Sequence, residues 1–151
     1  MNSKGVALGA FTAIISVVVL LLGADSSQAC KGSYPRYTVE IFNNMGTGMN
    51  VRCKSKDDDL GIHYVAPAQS YYFSFKPNIW FTTLFYCSVN WNGRTEYFDA
   101  FNIDRGDLVF CLKQGCLCTW RLTPDGPCFY TYDRCLPWKP KLLASMVKHE
   151  R

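Results

Sequence analysis

Residues 52–61 of the chain, RCKSKDDDLG, place two lysines and three consecutive aspartates beside a cysteine. Clustered carboxylates can bind Ca²⁺, or can act as acid and base in hydrolysis when two of them face each other across a cleft. A calcium site takes about six to eight oxygens from a folded loop, and D-D-D lacks the alternating ligand pattern of an EF-hand. Neighbouring side chains of an extended segment point in opposite directions, which separates adjacent carboxylates. We therefore interpret the stretch as a solvated turn and expect no metal or cofactor site. Its charged residues after the cysteine are Lys54, Lys56, Asp57, Asp58 and Asp59.

Nucleophilic catalysis is the next chemistry to consider. No serine after residue 29 lies in a G-x-S-x-G context, and Ser74 belongs to an alternating apolar pattern. His63 stands alone on a predicted strand, far from His149 near the end of the sequence. A cysteine–histidine dyad would need a reduced cysteine, which an oxidising compartment disfavours. We predict that the protein is not an enzyme.

The N-terminal residues have the layout of a secretory signal peptide. Lys4 provides a basic start, residues 13–22 (AIISVVVLLL) form an apolar core, and Ser27 and Ala29 occupy the small-residue positions of a cleavage site. The alternatives are a membrane anchor and lipoprotein processing at SQAC. Ten apolar residues fall short of the ~20 needed to cross a bilayer, and Ser27 is a poor match to a lipoprotein signal. We predict cleavage after Ala29, a secreted extracellular protein that does not span the membrane, one domain over residues 30–140, and a tail over 141–151.

The charge of the chain is modest, with a formal net value of +4. Removal of residues 1–29 takes away one lysine and one aspartate and leaves this value unchanged. The basic residues are dispersed rather than clustered, which is unlike the basic stripe of a nucleic-acid-binding protein. We expect no nucleic-acid partner, and we expect a monomer.

The eight cysteines all follow the predicted cleavage site, and an even number in a secreted chain predicts disulfides. Zinc is the alternative, but Cys116 and Cys118 are separated by one residue rather than two, and both histidines lie far away in sequence. Proximity favours Cys128–Cys135 and a bridge from Cys111 to Cys116 or Cys118; Cys118 is also a candidate partner of Cys135. The pairings of Cys30, Cys111, Cys116 and Cys118 stay open.

Short segments that alternate apolar and polar residues recur about every ten positions, between turns rich in Gly, Pro, Asn and Asp. This pattern predicts an all-β fold, a small disulfide-stabilised antiparallel β-sandwich of immunoglobulin-like size. Asn92-Gly93 and Asp125-Gly126 suit tight hairpins. In this layout Cys53 and Cys87 point inward from different strands, so we expect them to pair across the sandwich interior, with pairing elsewhere as the alternative. The predicted strands are 37–42, 47–53, 70–75, 83–89, 95–101, 107–111, 118–122 and 128–132.

Several of these segments together resemble the plant self-incompatibility S1 family, the secreted S-protein homologues. The matching runs are CKSKDDDLGIHYVAP, YYFSFKPNIWFTTLFYC, CTWRLTPDGPC and CLPW, over about residues 37–138. The resemblance implies a small β-sandwich held by disulfides, with Cys53–Cys87 as the family's main bridge and a late hairpin marked by Trp120 and Gly126. The chain departs from simpler members in its additional cysteines and in lacking an N-x-S/T glycosylation triplet.

Members of this family act as secreted ligands, and the best known is recognised by a pollen membrane receptor and leads to rejection of self pollen. The resemblance therefore implies a cell–cell recognition ligand for a cell-surface receptor protein. The alternative is a secreted defence or cell-wall-associated carbohydrate-binding protein, because the sequence contains four tryptophans and many tyrosines. For recognition we single out three polar segments. Their residues are Lys54, Lys56, Asp57, Asp58 and Asp59; Asn92 and Arg94; and Asp104, Arg105 and Asp107.

Overall fold

The computed structural model describes residues 30–129 and 134–140. The predicted signal peptide (1–29), the predicted tail (141–151) and residues 130–133 lie outside the described residues. The described part contains a 3-10 turn, Ile103–Arg105, and a helix α1, Asp107–Lys113. Its strands are β1 (Tyr37–Asn43), β2 (Met49–Lys54), β3 (Asp59–Val65), β4 (Ser70–Phe75), β5 (Leu84–Trp91), β6 (Arg94–Asn102), β7 (Leu117–Thr123), β8 (Gly126–Phe129) and β9 (Arg134–Cys135).

The strands form two sheets, which confirms the predicted β-sandwich. One sheet has the order β4-β1-β7-β8-β9 and the other has the order β3-β2-β5-β6. All the strand pairs are antiparallel except β1 and β7, which run parallel with Thr38 opposite Leu117. A parallel pair needs a crossover connection rather than a hairpin. The chain between β1 and β7 forms all four strands of the second sheet, and α1, before it returns beside β1.

Residues 107–111 were predicted as a strand, and this prediction is wrong because they begin α1. The two buried residues of the helix, Asp107 and Cys111, are four positions apart, which puts them on one helical face. The side-chain oxygen of Asn102 accepts a hydrogen bond from the Asp104 amide at 3.0 Å and caps the preceding 3-10 turn. Gly106 then turns the chain with φ 89°. The residues of DLVFC therefore lie on a short, partly buried helix rather than on a strand.

The turn predictions succeed at one hairpin and miss by one position at another. Asn92 and Gly93 have φ values of 47° and 75°, as a type I′ turn requires. In the β7–β8 hairpin, however, Thr123 pairs with Gly126, so the central residues are Pro124 and Asp125. Proline favours the second position of a turn because its ring fixes φ, and this moves the bend off the Asp125-Gly126 pair.

The core lies between the two sheets and is mainly aromatic. Phe75 of β4 packs against Phe85 of β5 and Phe101 of β6, with ring centroids 4.6 and 4.8 Å apart. The buried indole of Trp120, on β7, donates a hydrogen bond to the Ala100 carbonyl of β6 at 2.8 Å. Ring contacts of this kind add to area burial because offset and edge-on geometries align the ring quadrupoles.

Four disulfides use all eight cysteines: Cys30–Cys116, Cys53–Cys87, Cys111–Cys118 and Cys128–Cys135. The pairs Cys53–Cys87 and Cys128–Cys135 are ones that the sequence favoured, and Cys111–Cys118 is one of the two alternatives that proximity left open for Cys111. Cys53 and Cys87, however, lie directly opposite each other on the adjacent strands β2 and β5, so their bridge lies within one sheet rather than across the interior. Cys118 pairs with Cys111 and not with Cys135, because α1 packs against β7.

The loop lengths closed by these bridges predict unequal contributions to stability. On the chain-entropy estimate, replacing both Cys53 and Cys87 by Ala should lower the free energy of unfolding by about 4 kcal/mol, and replacing both Cys128 and Cys135 by about 2 kcal/mol. The difference arises because the sequence separations are 34 and 7. Urea unfolding of the two double variants measures both values, and a larger loss for the Cys128/Cys135 variant would contradict this reading.

Candidate functional site

The strand registers divide the predicted recognition residues between two opposite ends of the sandwich. Lys54 pairs with Tyr86 near the start of β5, whereas Asn50 pairs with Asn90 near its end. The Asn92–Arg94 hairpin follows the end of β5, and so it lies at the other end from the turn after Lys54. A strand of this length separates the two by roughly 25 Å. The three polar segments therefore cannot form one continuous contact surface.

The charged turn, residues 54–59, is organised by Ser55. The Ser55 amide donates to the Asp58 carbonyl at 2.9 Å, and the Asp58 amide donates to the Ser55 hydroxyl at 3.0 Å. These local bonds compete with strand pairing and hold a tight bend between β2 and β3. Lys56, Asp57 and Asp58 are exposed at its tip.

Asp59 at the base of this turn is held by two cations. Arg52 Nε donates to its Oδ1 at 3.0 Å, and the Lys54 ammonium lies 2.9 Å from its Oδ2. The hydrogen bonds from Arg52 and Lys54, together with the Gly61 amide, hold the pKa of Asp59 well below its usual range. Asp59 and Lys54 thus form part of the turn's own ion-pair network, and the tip residues face the solvent.

In the segment after β6, two of the three predicted recognition residues have a structural role. Asp107 is only 3% exposed, accepts from Arg105 Nε at 2.8 Å and accepts from the Asn102 amide at 2.8 Å. The Arg105 guanidinium also donates to the Asp99 carbonyl at 2.9 Å and lies 4.8 Å from the centroid of the Trp120 ring. These contacts anchor the crossover to the core, and Asp104 is the exposed member of the three.

At the opposite end, the hairpin tip presents Asn92 and Arg94. Arg94 Nε donates to Glu96 at 2.7 Å, and its guanidinium lies 5.3 Å from the centroid of the Trp91 ring. Both contacts are local to the hairpin. The tip is exposed but is separated from the charged turn by the length of β5.

Sequence reasoning missed the apolar tip, residues Ile79, Trp80 and Phe81 in the β4–β5 loop. Their exposed fractions are 68%, 77% and 60%. The other three tryptophans pack: Trp120 and Trp91 are buried, and Trp138 is half-buried with its ring centroid 5.4 Å from that of Trp91. The sequence did contain one signal that this run lies in a loop. The run IWF directly follows Pro77 and Asn78, and both residues are typical of turns.

A groove of about 710 Å³ is lined by the charged turn and by the base of the loop that carries the apolar tip. Its walls include the turn on one side and Asn78, Thr82 and Thr83 on the other, and Phe75 and Phe85 of the core contribute to the lining. Charged, polar and apolar groups thus converge at one end of the sandwich. We treat this end as the candidate recognition site and call it the display end.

The remaining titratable groups with notable contacts serve the fold. The His63 ring stacks on Tyr71 with centroids 4.2 Å apart, and its Nε2 lies 2.7 Å from the Leu60 carbonyl. Burial alone would raise the pKa of Glu40, but hydrogen bonds from Tyr72, Ser70 and Thr119 lower it on balance.

In the described ranges there is no group of three or more His, Cys, Asp or Glu side chains that could hold a metal ion. Nor do these ranges contain a helix long and apolar enough to cross a membrane.

Comparison with known proteins agrees with this architecture. The family model for plant self-incompatibility protein S1 matches residues 38–140. S-protein homolog 5 of Arabidopsis thaliana is 42% identical over 107 residues, which cover 69% of this chain and 80% of that protein. S-protein homolog 29 of the same plant is 34% identical over 133 residues, covering 82% and 95%.

A solved structure of the SPH (Self-Incompatibility Protein Homologue) proteins, described as a widespread family of small, highly stable, secreted proteins from plants, matches the fold. Its TM-score is 0.54 at 16% sequence identity, over 72% of this chain and 98% of that one. The fold is a disulfide-crosslinked β-sandwich that presents loops at its two ends. The chain belongs to the plant self-incompatibility S1 family, as a member of the S-protein homologues.

The ion pairs of Asp59 predict a pH dependence of stability. Because the folded-state pKa of Asp59 is lowered, its contribution is fully present above the unfolded pKa of about 3.9 and is lost as the pH falls below that value. We expect Asp59→Asn to be less stable than the unaltered protein at pH 7 and to lose less stability between about pH 5 and pH 2. Urea unfolding across this range is the measurement. Asp57→Asn, which removes a charge from the same turn without touching Arg52, is the matched control, and equal behaviour of the two variants would contradict the assignment.

The buried ion pair behind the display end predicts a larger effect. Arg105→Ala should lower the free energy of unfolding by about 3 kcal/mol, because it leaves the Asp107 carboxylate buried without its cation. Asp104→Asn, a charge removal on the exposed side of the same segment, should change stability by about 0.5 kcal/mol or less. Thermal and urea unfolding distinguish the two, and a loss below about 1 kcal/mol for Arg105→Ala would argue against an anchoring role.

Proposed function

We propose that the protein is a secreted, non-enzymatic ligand that a receptor protein on the plant cell surface recognises in cell–cell communication. Rejection of self pollen is one form of such communication. Membership of the S1 family supports this proposal, as do the four disulfides, which suit an oxidising extracellular setting. In this proposal the protein acts as a monomer and has no nucleic-acid partner.

The observation that carries the proposal is that a disulfide-crosslinked frame presents exposed charged and apolar side chains in the loops at its display end. The frame orders the loops before any partner arrives, so little conformational entropy is lost on binding. The exposed charges of Lys56, Asp57 and Asp58 suit the rim of a contact, where they steer encounter and select a partner by charge. The Asn92–Arg94 hairpin is a second candidate contact at the far end.

Carbohydrate binding is a second candidate function, and the exposed indole of Trp80, on the loop whose Asn78 and Thr82 line the groove, favours it. Sugar rings stack their C–H faces on aromatic rings while their hydroxyls bond to polar neighbours. In that case the protein would be retained on wall polysaccharides rather than on a receptor. A glycan array separates the two, because a receptor ligand should leave it blank.

The proposal predicts saturable binding of the purified, fluorescently labelled protein to intact plant cells, reduced by excess unlabelled protein. Because exposed charges are screened by salt, binding should weaken as ionic strength rises. Tissues to compare are pistil and pollen, where binding would favour a role in pollen rejection, and root and seed, where it would favour another ligand role.

Two charge reversals show which end is used. Lys56→Glu at the charged turn should weaken binding several-fold, whereas Arg94→Glu at the opposite hairpin should change it little. The reverse result would move recognition to the hairpin end. Absence of saturable binding to every tissue would contradict a receptor ligand altogether.

A further inference from the structure

The apolar tip is exposed to a degree that needs an explanation. Three consecutive large side chains, two of them aromatic, project into solvent from the loop between β4 and β5, at one end of the sandwich. Single exposed apolar residues are ordinary on protein surfaces, but a contiguous group beside a polar rim indicates an interaction site.

Hydrogen bonds hold the tip in its exposed conformation. The Asn78 side chain donates to the Thr82 hydroxyl at 2.8 Å and accepts from the Thr82 amide at 2.9 Å, so it spans the base of the loop. The Asn78 amide donates to the Thr83 hydroxyl at 2.7 Å. These bonds keep the tip pointing away from the core. If the three side chains packed onto the core, the bonds would break.

The backbone of the tip is also strained. Phe81 has φ 54°, in the left-handed region that bulky residues rarely adopt. Strain of this kind persists only where the surrounding bonds impose it, and it concentrates at ligand-binding segments. The backbone at Phe81 therefore agrees with a loop whose conformation is imposed by the bonds at its base.

The groups beside the tip indicate the kind of partner. The charged residues that line the groove are three lysines and three aspartates, so the lining carries both signs and no formal net charge: Lys54, Lys56, Lys76, Asp57, Asp58 and Asp59. Because these charges cancel, the lining gains no net electrostatic attraction to an anionic bilayer. A protein surface can complement both signs, and an apolar centre with a charged rim is the usual composition of a protein interface.

We propose that Ile79, Trp80 and Phe81 form the anchor that enters an apolar pocket on an extracellular protein partner, with the charged turn at the rim of the contact. This inference rests on the proposed receptor-ligand function and assigns the residues that dominate its affinity. Trp is one of the residue types enriched at such energetic centres, and Trp80 is the most exposed of the three.

The experiment compares variants of the full secreted protein in the cell-binding assay. Trp80→Ser combined with Phe81→Asn removes both rings, leaves the Asn78 bonds in place and puts a residue tolerant of left-handed backbone at position 81. Tyr64→Ser is the matched control, since Tyr64 is 70% exposed and lies at the opposite end, next to Asn50. Circular dichroism and a thermal melt establish that both variants fold.

We expect the double variant to lose at least tenfold in affinity and Tyr64→Ser to lose less than threefold. We also expect mild trypsin treatment of the cells, followed by washing, to abolish binding of the unaltered protein. Retained affinity in the folded double variant, while the unaltered protein binds saturably, would overturn the anchor and leave the receptor-ligand function standing.

Two further results would also overturn the anchor. Trp80-dependent sedimentation with phosphatidylcholine–phosphatidylserine vesicles, together with cell binding that survives trypsin, would assign the tip to a lipid surface. If the unaltered protein binds no tissue saturably, the receptor-ligand function fails and the anchor fails with it.

Discussion

Aromatic packing between the two sheets is the interaction on which the rest of the structure depends. Each of the four disulfides joins segments within one sheet or ties flanking segments to it, so none connects a strand of one sheet with a strand of the other. The sheets are held by rings such as Phe75, Phe85 and Phe101, and by the Trp120–Ala100 hydrogen bond. The crosslinks limit the unfolded chain, and the ring contacts specify how the sheets stack.

The crossover segment between β6 and β7 supports the loops at the display end. The chain leaves β6, forms the 3-10 turn and α1, and returns as β7 beside β1. The Arg105–Asp107 pair and the Cys111–Cys118 bridge hold that crossover against Trp120 and β7. Because the crossover starts next to Thr83, an ordered crossover also supports the base of the loop that carries the apolar tip.

The display end therefore combines an ordered base with exposed chemistry. Polar local bonds from Ser55 and Asn78 shape its two loops, and neither loop depends on burial of its own tip. Substitutions at the tips can therefore change the exposed surface while the frame is preserved.

The sequence by itself determined the all-β class, the family and most strands, because inward alternation has period two and turn residues act locally. It also placed the Asn92-Gly93 turn and the 53–87 pair. Only the tertiary structure decided that residues 107–113 are helical, that β1 and β7 run parallel, and that Cys30 meets Cys116. It also decided that the predicted recognition residues divide between two ends, and that Ile79, Trp80 and Phe81 stay outside the core. These features depend on contacts between residues far apart in the chain, which a local pattern cannot encode.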